Sequence, residues 1–230
     1  MADNDFKGES PLNYTEKILC VLVLDVSTSM VGNPIDMLNK GLQDFYKIIE
    51  NDPLISQMLE VSLISFNNRV NVEQAPALVA DFTLPRLFAE AVGSDAMVDA
   101  IKEAIGLVAA RKEWYKENGQ TYYRPWIILM CKCDLDDYQD VIGLSNTIKA
   151  DSVEKKYYFQ PISIDGKNMS ILNQIANPTM PVQKLSDTTF SDIIKWSEPD
   201  LDVCLMINSE EEQQINLPDF SEWLESFTIE

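Results

Sequence analysis

Asp25, Ser27 and Ser29 close the stretch Leu19-Cys-Val-Leu-Val-Leu-Asp-Val-Ser-Thr-Ser-Met30, in which a run of large apolar residues ends in one carboxylate and two hydroxyls. At positions i, i+2 and i+4 these groups offer hard oxygen donors from a single turn. That is the chemistry Mg²⁺ or Mn²⁺ prefers, with coordination positions left open for water or a partner. The plainer reading is a turn leading into a helix, its hydroxyls satisfying backbone N–H groups.

The surrounding elements predict how such a turn is held. Ile18 to Leu24 is nearly all aliphatic, as expected of a central parallel strand covered on both faces. Asn33-Pro34 then supplies an N-cap and a first-turn proline, and Ile35, Leu38, Leu42, Phe45 and Ile49 recur at helical spacing. Leu59 to Phe66 alternates before Asn67-Asn68 and Val70 to Val72, which predicts a β-hairpin near a sheet edge. Residues 75–93 read as irregular and lead into a helix marked by Met97, Ile101, Ile105 and Val108. Trp126 to Met130 is a further strand, followed by a helix near 137–155, a strand at Tyr157 to Ile164 and a short helix near 169–176. A brief strand at Val182 to Leu185 and a helix from Phe190 complete the pattern. Strands alternating with helices imply an α/β fold: a Rossmann-like, doubly wound, mostly parallel sheet with one antiparallel edge strand and helices on both faces. In such sheets ligands bind beyond the carboxyl ends of the strands, where Asp25, Ser27 and Ser29 fall. The expected organisation is a polar lead-in at 1–15, one domain at 16–207 and an acidic extension at 208–230 packing on it.

Composition narrows the chemistry. The chain of 230 residues has no histidine, which excludes Ser-His-Asp and Cys-His nucleophiles, an imidazole base and His-ligated zinc. With 37 acidic against 18 basic residues the net charge is −19, and no Lys/Arg cluster is visible along the sequence. Nucleic acid is therefore not an expected partner, and basic partners or cations are favoured. The last 35 residues hold ten acidic side chains and no Lys or Arg, as expected of a solvated face. The polar N-terminus and the lack of a long apolar run predict a cytoplasmic protein without a membrane segment. Cys20, Cys131, Cys133 and Cys204 lie in or beside apolar stretches and are expected to be reduced, buried thiols.

Asp-x-Ser-x-Ser-Met after an aliphatic strand resembles the von Willebrand factor type A (VWA) family, whose metal-ion-dependent adhesion site uses this turn. The resemblance extends over roughly 16–223. It is closest to the bacterial tellurite-resistance-type proteins, through Asn118-Gly-Gln-Thr-Tyr-Tyr-Arg-Pro-Trp126 and Phe190 to Trp196. The family completes its site with a Thr from a second loop and the Asp of a Thr-Asp-Gly turn. Here the resemblance places Asp95, or its neighbour Ser94, on the Thr, and Cys131-Lys132-Cys133 on Thr-Asp-Gly, so Lys132 takes the place of the Asp. An ammonium and a dication a few Å apart repel strongly. One reading is that Lys132 replaces the metal, held by Asp25 and Asp95 with Ser27 and Ser29 as further acceptors. The other is that Lys132 turns outward and Asp25, Ser27, Ser29 and Asp95 bind Mg²⁺ or Mn²⁺; an empty, hydrated pocket is the third. Asp134, Asp136 and Asp137 line the rim or else cap the following helix.

The resemblance implies a non-enzymatic protein-binding module with no cofactor and an unidentified protein partner, set in a bacterial stress-response or signalling assembly. The alternative is a metal-dependent hydrolase or phosphatase using Asp25, although residue 27 is not the acid that Asp-x-Asp chemistry requires. A dinucleotide enzyme is excluded by the absence of Gly-x-Gly-x-x-Gly after the first strand. Calorimetric titration with Mg²⁺ and Mn²⁺ separates the two readings of the turn. If Lys132 replaces the metal, no heat is expected at millimolar ion, whereas micromolar binding abolished by Asp25→Ala excludes that reading.

Overall fold

The computed structural model describes residues 6, 9–81, 83–92, 96–132, 140–164 and 169–184. Six strands, β1 (Ile18–Asp25), β2 (Leu59–Phe66), β3 (Val70–Leu78), β4 (Trp126–Cys131), β5 (Tyr158–Ser163) and β6 (Gln183–Lys184), form one sheet in the order β3-β2-β1-β4-β5-β6. All neighbours run parallel except β2 and β3, which pair antiparallel through an irregular register between Val61 and Ile64. The mostly parallel, doubly wound sheet with one antiparallel edge strand is thus the observed architecture.

β1 is buried along its whole length because each face has its own cover. Ile18, Cys20, Leu22 and Leu24 pack with Ile35, Leu38, Leu42 and Ile49 of α1 (Asn33–Asn51), next to the short α2 (Ile55–Met58). Leu19, Val21 and Val23 pack with Met97, Ile101, Ala104 and Val108 of α3 (Met97–Glu117) and with Leu144 and Ile148 of α4 (Val141–Val153). α5 (Met169–Ile175) joins the same layer through Leu172 and Ile175. Residues 19–24 therefore read as an unbroken apolar run, the mark of a two-sided strand.

Several local expectations change. The cap of α1 is Gly32, at φ 88°, a conformation that glycine adopts without a Cβ penalty, and Asn33 lies inside the helix. α4 starts at Val141, later than the expected 137, and its cap is Asp140, whose carboxylate accepts from Gly143 N at 2.8 Å. β3 runs through Pro76 to Leu78, a stretch expected to be irregular. Cys20 is buried and outside any disulfide, but Cys131 is disulfide-bonded, contrary to the expectation of reduced thiols throughout. The expected helix from Phe190 and the acidic extension lie outside the described residues.

The polar positions of β2 are buried rather than solvated. Glu60 faces α3, where Arg111 grips it with Nε at 2.8 Å and Nη2 at 2.9 Å, and the Tyr115 hydroxyl donates at 2.7 Å. Arg111 Nη1 also reaches Glu9 at 2.6 Å, and its guanidinium lies 4.0 Å from the Trp114 ring and 4.8 Å from Phe6. The expected lead-in is thereby fastened to the domain at Phe6 and Glu9. Removing one partner of a buried pair leaves an uncompensated charge. Glu60→Gln is expected to destabilise the fold by about 3 kcal/mol in urea unfolding, and Glu60→Gln with Arg111→Met to recover much of that loss.

Candidate functional site

The strand order turns outward in both directions from β1 and β4, so the crevice beyond their carboxyl ends is the switch point of the sheet. Asp25 ends β1 and Lys132 follows β4. Asp25 is fully buried. Its Oδ1 accepts from Ser27 N at 2.8 Å, while Oδ2 accepts from Lys132 N at 3.0 Å and from Ser29 Oγ at 3.4 Å. The Ser27 and Ser29 hydroxyls lie 3.1 Å apart. The hydroxyls therefore bind one another and Asp25 rather than capping the 3-10 turn at Thr28–Met30, whose N-cap Ser27 makes no side-chain cap bond.

Burial pushes the Asp25 carboxyl above the usual carboxylate range, while its bonds from Ser27, Lys132 and Ser29 pull the other way. Lys132 is half-buried and meets Asp25 through its main chain; among the described residues no ion pair joins its ammonium to that carboxylate. Asp95, Ser94, Asp134, Asp136 and Asp137 lie outside the described residues.

The donor set can be tested against a divalent cation. The described donors are one carboxylate and two hydroxyls, and both carboxylate oxygens already accept hydrogen bonds. No group of three or more acidic or thiol side chains converges among the described residues. Alone, these three groups leave about half of a divalent cation's roughly six coordination positions to other ligands.

Two positions outside the motif shape the same crevice. Thr28 N and Oγ1 both donate to Val92 O, at 2.9 and 2.8 Å, and Glu90 N donates to Val26 O at 2.9 Å. Asn67, at the end of β2, is buried and donates through Nδ2 to Glu90 Oε2 at 3.1 Å, while Arg69 pairs with Glu90 at 3.1 Å. Segment 83–92 is thus laced to the β1 loop. The Asn67-Asn68 dipeptide signalled a hairpin turn, but nothing in its type pointed across to Glu90.

No protein-family model matches the sequence, and no curated protein matches it. Solved structures do match in fold. The von Willebrand factor domain of the type V pili tip protein Mfa5 from Porphyromonas gingivalis aligns at a TM-score of 0.56 and 10% identity, over 87% of this chain and 100% of that one. The pilus adhesin SpaC of Lactobacillus rhamnosus GG aligns at 0.59 and 12%, over 84% of this chain and 31% of that one. Proximal thread matrix protein 1 from the mussel byssus aligns at 0.55 and 14%, over 78% and 44%. The chain spans less than half the length of the latter two. The architecture is therefore VWA-like.

Asp25→Ala removes the acceptor of two backbone N–H groups, and a loss of about 2–4 kcal/mol is expected in urea unfolding. The pH dependence has a definite sign. A carboxyl raised in the fold binds protons more readily there than in the unfolded chain, so its contribution to stability grows as pH falls through the folded value toward ~3.9. The stability gap between wild type and Asp25→Ala should accordingly widen on acidification from pH 7.

Proposed function

We propose that this chain is a non-enzymatic protein-binding module that meets its partner through the rim of the β1–β4 crevice, without a metal ion as bridge. The observation that carries this reading is a rim of exposed apolar side chains around an internally satisfied carboxylate. Val31 follows the β1 turn, Ile142 sits in the first turn of α4 and Phe88 stands in the segment laced to Val26. They are 53%, 73% and 70% exposed. Large apolar groups presented by loops on a rigid sheet suit a protein surface better than a small polar substrate. Arg86 reaches both Phe88, 5.7 Å from its ring, and Asp36, at 3.5 Å, adding a polar border.

Asp25 is ill placed as a nucleophile or metal base, because it has no solvent exposure and both its oxygens are engaged. The fold relatives named as pilus components support a role in protein assembly, and the tellurite-resistance-type resemblance supports a bacterial stress-response or signalling setting. No helix of the described residues is long and apolar enough to cross a membrane. The net charge favours a partner with a basic surface over nucleic acid.

Capture on immobilised protein from a bacterial lysate, quantified by mass spectrometry, tests the reading. Recovery of a specific partner should fall at least about tenfold in the Phe88→Asp, Ile142→Asp double variant. Unchanged recovery would exclude this rim. Mg²⁺-dependent phosphatase turnover that disappears in Asp25→Asn would show the protein to be an enzyme.

A further inference from the structure

At the pole opposite the crevice, where β1 and β2 begin and β3 ends, the lead-in segment forms one side of a cavity of about 250 Å³. Its apolar walls are Pro11, Leu12, Pro76, Ala77, Leu78 and Trp114. Ser10, Gln120 and the charged side chains of Glu9, Lys17, Glu60, Asp81 and Arg111 complete the lining. Apolar walls with a few polar groups are the usual build of a small-ligand site. A cavity of about 150 Å³ takes up benzene, so this one has room for an aliphatic chain of about four to six carbons with a polar head.

The charges decide which head. Both cations of the lining are closed off. Arg111 gives Nε and Nη2 to Glu60 and Nη1 to Glu9, and its side chain is 5% exposed. Lys17 is buried and spends its ammonium on Asn13 Oδ1, Thr15 O and Gln57 O, one acceptor for each N–H. On the acidic side only Glu60 is closed, by Arg111 and the Tyr115 hydroxyl. Glu9 is half-exposed and holds Arg111 through Oε2 alone. Asp81 is exposed and has neither a hydrogen bond nor an ion pair among the described residues. An entering group therefore meets negative charge, in keeping with the net charge of −19.

The wall also keeps an acceptor without a donor. Gln120 is 3% exposed and gives Nε2 to Thr15 O at 2.8 Å and to Thr121 O at 3.1 Å, while its Oε1 has no partner among the described residues. Turning the amide over would set that oxygen against two carbonyls, so its orientation is fixed. A buried acceptor left unpaired is unfavourable, and an N–H donor relieves it. We propose that this cavity is a site for an aliphatic ammonium, its chain against Pro76, Leu78 and Trp114 and its charge toward Asp81. A free alkylamine and the lysine side chain of a partner protein share that chemistry. The site lies at the other end of the sheet from the rim of the crevice and stands independently of it.

Amide chemical shifts of the full chain, titrated at pH 7 with n-butylammonium, with n-butanol and with a blocked lysine peptide at equal ionic strength, test this. Saturable shifts at residues 9–12, 76–81 and 120 are expected with butylammonium, the Gln120 side-chain amide among them. Butanol, which lacks the charge, should bind at least about fivefold more weakly. Asp81→Asn, at an exposed position, should weaken butylammonium about threefold, and Ala77→Leu, which narrows the cavity, at least about tenfold. A response to butylammonium alone assigns a free small amine; a response to the lysine peptide as well assigns a partner's side chain. No saturable shift in the wild type, butanol binding as tightly as butylammonium, or unchanged binding in a well-dispersed Asp81→Asn or Ala77→Leu spectrum would overturn the proposal.

Discussion

The organisation of the molecule hangs on one buried carboxylate accepting main-chain N–H groups from two different loops. Asp25 takes Ser27 N from its own turn and Lys132 N from the turn after β4, and so fixes the separation of the two strands at the switch point. The price of burying that charge is visible in its raised pKa. What is gained is a rigid floor, over which the rim residues are displayed and to which segment 83–92 is laced.

The parts legible in the sequence are those where a single physical signal decides. The aliphatic run of β1, the spacing in α1 and α3 and the Asp-Val-Ser-Thr-Ser turn were readable because burial on two faces, helical period and strand-end chemistry each leave a local pattern. Where two signals compete, the reading shifts. Alternation in β2 points to a hairpin near a sheet edge, but not to the reason Glu60 is polar, which is that Arg111 and Tyr115, more than fifty residues away in sequence, receive it. The acidic loop after β4 offered Asp134, Asp136 and Asp137 as candidate caps, whereas the cap of α4 is Asp140. The family resemblance gives Lys132 a role through its side chain, whereas the contact present is made by its main-chain N–H, which any residue but proline could supply.

Charge shows the same limit more sharply. A net charge describes the whole surface, but Lys112 and Arg124 become neighbours only because α3 ends beside the start of β4 and both meet the turn into β5. Their nearness to one another in so acidic a chain is a property of placement, not of composition. The same holds for the N-terminal segment, where Glu9 and Phe6 find a guanidinium that no local pattern announces.

β3, the outermost strand beside β2, carries Pro76 and an irregular register within its pairing. A proline withholds one donor, and a bulge bends the strand away from a straight ladder, so this border is a poor template for an incoming chain. The sheet is thereby shielded on this side from open-ended polymerisation, a useful property for a scaffold built from such regular parallel strands.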